Sequence, residues 1–269
     1  MYVCFNSNNI NISEEIMAKI ITVINQKGGV GKTTTAQAIG AWLQKYKKQN
    51  VLFIDLDQQG NLSYALKAHN HNYSSLDVLT DKIIDTQKCF FSDQKYFVLP
   101  SNPNLASIDK YLPDVGKEYR LRDALKNIPK FDYIIIDTPP TLNILTINAL
   151  TASNYVLVPA QADIFSLQGI SQLNQTIESI KEYTNPSLTV LGIILTKHNT
   201  RSILNKDLQS VIKNTAKCIH TTVYTQYIRD NISIKEAQAM QMDIFTYAER
   251  CNAAQDYNSL MTEIWKEIQ

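Results

Sequence analysis

The feature that most constrains this chain is a glycine-rich segment at positions 27–34, made up in order of Lys27, Gly28, Gly29, Val30, Gly31, Lys32, Thr33 and Thr34. An apolar run at 20–24 precedes it and apolar residues at roughly helical spacing follow it, so the segment joins a strand to a helix. Glycines let backbone N–H groups surround a phosphate, and the start of the helix adds a favourable dipole. The segment therefore predicts a phosphate-binding loop, with an ordinary glycine turn as the alternative.

The polar residues of this segment have separate predicted roles. Lys32 is expected to hold the β- and γ-phosphates, Thr33 to supply a hydroxyl to Mg²⁺, and Thr34 to reach the α-phosphate. Lys27 is unusual, because a second ammonium beside Lys32 is repelled by it unless polyphosphate is present. A lysine at the start of the loop points away from its own nucleotide, so we expect Lys27 to contact phosphates held by another subunit. A solvated surface lysine is the alternative.

Two acids follow the next apolar strand, at 51–54. Asp55 and Asp57 alternate along the chain, which places both carboxylates on the same side of an extended backbone. Open parallel sheets bind ligands outside the carboxyl ends of their strands. We therefore expect one acid to support a metal ion and the other to position an attacking water. The alternative is that either acid caps the helix predicted near 61–63.

A third acid, Asp137, ends the β-branched run at 133–136. Such a run predicts a strand buried on both faces, and an aspartate at its end can accept from Mg²⁺-bound water. An aspartate that opens a turn before Thr138, Pro139 and Pro140 is the alternative. A helix over 142–153 and a strand over 155–159 are predicted next.

Three motifs together resemble the ParA/MinD family. They are the loop with its extra lysine at 27–34 (the deviant Walker A form), Asp-Leu-Asp-Gln-Gln-Gly-Asn at 55–61, and Ile-Ile-Ile-Asp-Thr-Pro-Pro at 134–140. The resemblance extends from about residue 19 to the C-terminal helix and is strongest to partition ATPases of the ParA/Soj kind. It implies an α/β fold of the P-loop NTPase type, with a doubly wound, mainly parallel sheet flanked by helices. It also implies an ATP-sandwich homodimer.

The resemblance assigns roles to individual residues. Lys27 is expected to cross the dimer interface to the partner's ATP, and Lys32 and Asp57 complete the catalytic set. Thr33, Asp55 and Asp137 form the expected metal site, so ATP and Mg²⁺ are the expected cofactors. Position 58 is glutamine where the family usually has proline.

Segments 163–169 and 196–199 bear on the interface and on the base. The first resembles a family segment beside the dimer interface, although Asp163 is a shorter acid than usual and a buried helix start is equally open. The second ends in Asn199, whose amide offers one acceptor where guanine requires two, so ATP is favoured. We expect the adenine to lie between 196–199 and 226–231.

The charge of the chain is uneven although its formal net charge is only +1. Seven basic and two acidic residues lie between 195 and 235, whereas 236–269 carries six acids and two basic residues. Clustered cations without an aromatic stacking stripe suit the phosphate backbone of non-specific double-stranded DNA, and a solvated face is the alternative. The family binds DNA in this region, and its two usual arginines are out of place here. The candidate DNA-binding residues are Arg201, Lys206, Lys213, Arg229 and Lys235.

The 269 residues are expected to form one ParA-like ATPase domain over 19–269, after an N-terminal extension at 1–18. Four scattered cysteines form no zinc or redox motif and fit reduced thiols. No apolar stretch is long enough to span a bilayer and no signal peptide is recognisable, so we expect a cytoplasmic, nucleoid-associated protein.

The expected function is a slow, Mg²⁺-dependent ATPase, stimulated by DNA and by a ParB-type centromere-binding protein, that drives plasmid or chromosome partition. A MinD-like membrane regulator would end in a basic amphipathic helix, whereas this C-terminus is amphipathic but acidic and is expected to pack on the domain. An iron–sulfur relative would need cluster-ligating cysteines. A structural DNA-binding protein that assembles with ATP and turns over little stays open.

Overall fold

The computed structural model describes residues 18–92, 96–126, 128, 131–198 and 203–269, with the backbone alone described at 164, 165, 203–207, 209 and 218. Seven strands form one sheet in the order β3-β4-β2-β5-β1-β6-β7. All neighbours pair in parallel except β3 and β4, which are antiparallel. The bounds are β1 Lys19–Val23, β2 Val51–Asp55, β3 Phe90–Phe91, β4 Phe97–Leu99, β5 Tyr133–Asp137, β6 Tyr155–Ala160 and β7 Thr189–Leu195.

The helices connect these strands and cover the sheet. They are α1 Lys32–Lys47, α2 Asn61–Ala65, α3 Ser75–Asp81, α4 Arg120–Leu125, α5 Ile144–Ala152, α6 Ile164–Tyr183, α7 Ile203–Cys218, α8 Ile232–Ala239, α9 Ile244–Tyr247 and α10 Asn252–Ile268. Two 3₁₀ helices, Pro103–Lys110 and Lys117–Tyr119, precede α4. The predicted doubly wound α/β fold is confirmed.

The predicted helix over 142–153 starts two residues later than the sequence suggested. Asn143 has extended backbone, and its side-chain oxygen accepts from the N–H groups of Leu145 and Thr146. An asparagine in this position caps a helix because it satisfies N–H groups that have no partner within the first turn. The α5 helix therefore begins at Ile144.

The centre of the sheet brings the predicted acids to one edge. In β5, Asp137 is in register with Val23 of β1 on one side and with Asp55 of β2 on the other. Parallel strands end at the same edge, so the phosphate loop after β1 lies beside both aspartates. The β2 and β5 strands are buried along their whole length.

The C-terminal helix α10 packs against the sheet and α1. Its buried side includes Tyr257, Leu260 and Ile264, all 1% exposed or less. The indole N–H of Trp42 on α1 donates to the Asn258 side chain at 2.7 Å. This arrangement agrees with the expectation that the acidic C-terminal helix packs on the domain. Among the described residues no helix is long and apolar enough to cross a bilayer.

Candidate functional site

The phosphate loop has the backbone geometry that its glycines predict. Gly29 and Gly31 have φ angles of +74° and +91°, values at which a side chain would strain the backbone. Gly31 immediately precedes α1. Within the part of the chain that the structure describes, no acceptor is hydrogen-bonded to the backbone N–H groups of 28–34. A run of free N–H groups at a helix start is a ready site for an anion.

Lys32 lies at the floor of this loop and is 7% exposed. Its ammonium donates to the carbonyl of Lys27 at 3.2 Å. Burial lowers the pKa of Lys32, while the carboxylates of Asp137 and Asp57 act in the opposite direction. The loop thus carries a buried lysine that is influenced by two nearby acids, and its ammonium is suited to binding phosphate.

Thr33 and Asp137 form the next contact. The threonine hydroxyl donates to Asp137 Oδ2 at 2.6 Å. The Asp137 carboxyl is fully buried, and its Oδ1 has no hydrogen-bond partner among the described residues. Burial and the neighbouring Asp55 raise the pKa of Asp137 well above its usual range, although Thr33 and Lys32 oppose this. A buried acceptor without a partner, beside a threonine hydroxyl, fits Mg²⁺ or its bound water.

Asp55 has a different environment from the one expected of a metal ligand. Its Oδ2 accepts from the backbone N–H of Ser63 at 2.8 Å and from the Ser63 hydroxyl at 2.7 Å. Its Oδ1 accepts from the N–H of Asp57 at 3.1 Å. Burial raises the pKa of Asp55 to about 6, against these hydrogen bonds. Asp55 therefore braces the first turn of α2, which agrees with the capping alternative, and metal ligation by Asp55 stays a prediction.

Asp57 lines the cavity beside the loop and is 6% exposed. Its Oδ1 accepts from the N–H of Gln59 at 3.1 Å, and its carbonyl accepts from the N–H of Gly60 at 2.8 Å. The Ser101 hydroxyl donates to the same carbonyl at 2.5 Å. These bonds fix Asp57 at the edge of the cavity, and its catalytic role stays a prediction.

Lys27 is paired within its own protomer. Its ammonium forms an ion pair with Asp163 Oδ2, and Asp163 Oδ1 accepts from the N–H of Ser166 at the start of α6. Burial raises the pKa of Asp163, but hydrogen bonds from Lys27 and Ser166 and the charge of Lys27 hold it below its usual value. Asp163 thus caps the start of α6 and is also the partner of the unusual lysine. The contact of Lys27 with a second subunit stays a prediction.

The loop opens into a cavity of about 620 Å³. Segments 196–197 and 228–231 line it together, and they are joined by a hydrogen bond from the N–H of His198 to the carbonyl of Ile228 at 3.0 Å. The two segments expected to hold adenine therefore meet beside the phosphate loop, although Asn199 lies outside the described residues. Thr34, expected at the α-phosphate, also lines the cavity, and its hydroxyl accepts from the Gln238 side chain at 2.8 Å.

Three of the basic residues proposed from sequence to bind DNA have described side chains, and these lie in two places. Arg229 lines the cavity and its guanidinium contacts both carboxylate oxygens of Asp256, a residue of α10 that is 4% exposed. Nε and Nη2 of the guanidinium are engaged in this way. DNA contact by Arg229 stays a prediction. Lys235 also lines the cavity, and Lys213 is exposed on α7. Arg201 and the side chain of Lys206 lie outside the described residues.

Sequence reasoning did not identify Asp256 or Gln238 as part of this site. Asp256 stands next to Tyr257 on the buried side of an amphipathic helix, and a charged residue in such a position usually has a partner. The sequence pattern therefore indicates that Asp256 has a partner, but it does not show that the partner is Arg229. Among the described residues no group of cysteine, histidine and acidic side chains is arranged to hold a metal ion by itself.

Comparisons with known proteins agree with this site. The model of a family described as AAA domain matches residues 18–190. The chain is 37% identical over 254 residues to the sporulation initiation inhibitor protein Soj of Bacillus subtilis, covering 92% of this chain and 98% of that protein. It is 34% identical over 258 residues to the chromosome partitioning protein ParA of Caulobacter vibrioides, covering 91% and 93%.

A solved structure from Mycobacterium smegmatis, described as cobyrinic acid a,c-diamide synthase with bound ADP and magnesium, has a TM-score of 0.80 and 31% identity to this chain. It covers 94% of this chain and 97% of that one. The functions in these names are those of the Bacillus, Caulobacter and Mycobacterium proteins. Sequence identity above 30% over nearly the whole chain, together with the loop and its acids, shows that this chain belongs to the ParA/Soj-type partition ATPases of the P-loop class.

Proposed function

We propose that this protein is an ATP-dependent dimerising ATPase that binds non-specific DNA and drives plasmid or chromosome partition with a ParB-type centromere-binding protein. The observation that carries the nucleotide part is the contact of Thr33 with Asp137, whose second carboxylate oxygen is buried without a described partner beside a run of free N–H groups. Bound ADP and magnesium in the mycobacterial structure support ATP and Mg²⁺ as the cofactors.

The residues of this chain divide the work as follows. The N–H groups of 28–34 and the ammonium of Lys32 bind the phosphates, and Thr33 and Asp137 hold Mg²⁺ or its water shell. Bound Mg²⁺ neutralises charge on the phosphate oxygens. Asp57 orients the attacking water, and its fixed position at the cavity edge supports this role. Lys27 acts on the nucleotide of a second subunit after leaving Asp163.

In this proposal, ATP turnover is slow, depends on Mg²⁺ and rises with DNA and with the partner protein. The protein works on the nucleoid in the cytoplasm. DNA binding draws its support from the excess of basic residues between 195 and 235. The apolar side of α10 is buried against the domain, so this helix does not support a MinD-like role at a membrane. A DNA-binding protein that assembles with ATP but hardly hydrolyses it is the second candidate, and turnover measured with and without DNA separates the two.

Nucleotide titration of Lys32→Ala tests the core of the proposal. Without its ammonium the loop loses the cation that faces Asp137 and Asp57, so binding of ATP should fall by more than about 100-fold, as expected for a lost charge-assisted contact in a buried site. The matched control is Lys110→Ala, an exposed lysine at the end of a 3₁₀ helix. Wild-type ATP affinity in Lys32→Ala would show that the loop is not the phosphate site.

A further inference from the structure

The phosphate loop is held from outside by side chains of two neighbouring strand ends. Lys197 Nζ, which follows β7, donates to the carbonyl of Gly29 at 2.8 Å. The Gln161 side chain, which follows β6, donates to the same carbonyl at 3.3 Å. The hydroxyl of Thr196, a buried residue, donates to the carbonyl of Val30 at 2.7 Å. Two consecutive peptide groups of the loop are therefore fixed by side-chain donors.

Fixing these carbonyls also fixes the N–H groups that bind an anion. A trans peptide is planar, so the carbonyl of one residue and the N–H of the next point in opposite directions. The carbonyls of Gly29 and Val30 thus set the directions of the N–H groups of Val30 and Gly31. Neither N–H has an acceptor among the described residues. Glycines at 28, 29 and 31 allow the loop many backbone conformations. Hydrogen bonds from outside the loop reduce that number before binding, so less conformational entropy is lost when an anion binds.

The backbone conformation of Lys197 is fixed by hydrogen bonds of its two neighbours. Its φ angle is +49°, which is uncommon for a residue with a side chain. The turn is fixed on both sides, because the N–H of Thr196 donates to Ala160 at 2.8 Å and the N–H of His198 donates to Ile228 at 3.0 Å. Lys197 is exposed and lines the same cavity as the loop.

We infer that Thr196 and Lys197 are positioning residues that hold the phosphate loop in its anion-binding conformation before nucleotide arrives. In this role Lys197 binds the Gly29 carbonyl and makes no contact with the γ-phosphate. The inference rests on the proposed nucleotide-binding function. It predicts that loss of either donor weakens ADP and ATP to the same degree, because both nucleotides use the same N–H groups.

The test is calorimetric titration of the full chain with Mg-ADP and with Mg-ATP. Lys197→Met keeps the length of the side chain and removes the donor, and the dissociation constants of both nucleotides should rise about fivefold, the size expected for one net hydrogen bond. Thr196→Val should raise both by a similar or larger factor, and Thr196→Ser should restore wild-type values.

The control is Lys48→Met. Lys48 is also exposed, has a φ angle of +60° and donates its ammonium to a backbone carbonyl, that of Lys45, at 3.0 Å. It lies at the other end of α1, so its loss should leave both dissociation constants unchanged.

Unchanged affinity for both nucleotides in Lys197→Met would overturn the inference. A loss for ATP alone would also overturn it, because it would indicate direct contact with the γ-phosphate. If Thr196→Val fails to fold, Lys197→Met still decides the matter. A wild-type chain that binds neither nucleotide would refute the proposed function, a result that differs from either outcome.

Discussion

The ammonium of Lys27 forms an ion pair with the carboxylate of Asp163 in the same protomer, 136 positions along the chain. This joins the unusual lysine of the phosphate loop to the first turn of α6. If Lys27 acts on a nucleotide in a second subunit, as proposed, the pair must break first. Asp163 therefore competes with the second subunit for the same cation.

Replacing Asp163 by asparagine separates the two roles of this side chain. Asparagine caps a helix about as well as aspartate, so α6 should keep its start, while the ion pair is lost. A partly exposed pair contributes about 0–1 kcal/mol, so ATP-driven dimerisation should occur at a protein concentration up to about fivefold lower. Sedimentation or light scattering with ATP measures this. Dimerisation that becomes weaker would mean that Asp163 belongs to the assembled interface.

The substitution Asp57→Ala separates nucleotide binding from hydrolysis. Asp57 lines the cavity outside the 27–34 loop, so the variant should still bind ATP. Loss of a group that positions water should slow phosphate release by about 100-fold or more, and the ATP-bound dimer should accumulate. Phosphate release and retained nucleotide are measured on the same sample. Unchanged turnover would remove Asp57 from the catalytic set.

The substitution Arg229→Ala distinguishes a structural role of this arginine, seen in the stability of the fold, from a role in DNA binding. Arg229→Ala leaves the carboxylate of Asp256 without the guanidinium that contacts both its oxygens. Because Arg229 is partly exposed, we expect a loss of about 1–2 kcal/mol in the free energy of unfolding, at the low end for hydrogen bonds between charged groups. Denaturant unfolding measures it.

The double variant Arg229→Ala, Asp256→Asn should recover part of this stability, since no buried charge is then left alone. A fall in DNA binding of Arg229→Ala with unchanged stability would instead restore Arg229 as a DNA contact.

The sequence was most informative where the fold itself brings residues together. Thr33 and Asp137 lie 104 positions apart, yet each follows or ends a parallel strand, so their meeting at one sheet edge was predictable. The roles of Asp55 and Asp57 were harder, since one motif contains both. The Ser63 hydroxyl and N–H donate to Asp55, which therefore braces a helix, whereas Asp57 lines the cavity.

Side-chain contacts between distant parts of the chain could not be predicted in this way. The pairs Lys27 with Asp163 and Arg229 with Asp256 depend on how long, flexible side chains are directed once the helices and loops have packed. The left-handed turn at Lys197 is similarly set by hydrogen bonds on both sides of it and by no glycine. Periodicity and motif spacing carry no information about such choices.

The last prediction concerns the lysine of α7 in the basic stretch between 195 and 235. Lys213 is exposed on α7, so Lys213→Glu should weaken binding of the ATP-bound protein to random-sequence duplex DNA without changing dimerisation. If one phosphate contact is lost, the slope of log affinity against log salt should fall by about 0.9. Arg201→Glu should behave alike. Lys110→Glu makes the same charge change on an exposed lysine elsewhere and should leave the slope unchanged. DNA binding of equal strength without nucleotide would refute the proposed switch, and an unaffected Lys213→Glu would exclude this lysine of α7 from the DNA surface.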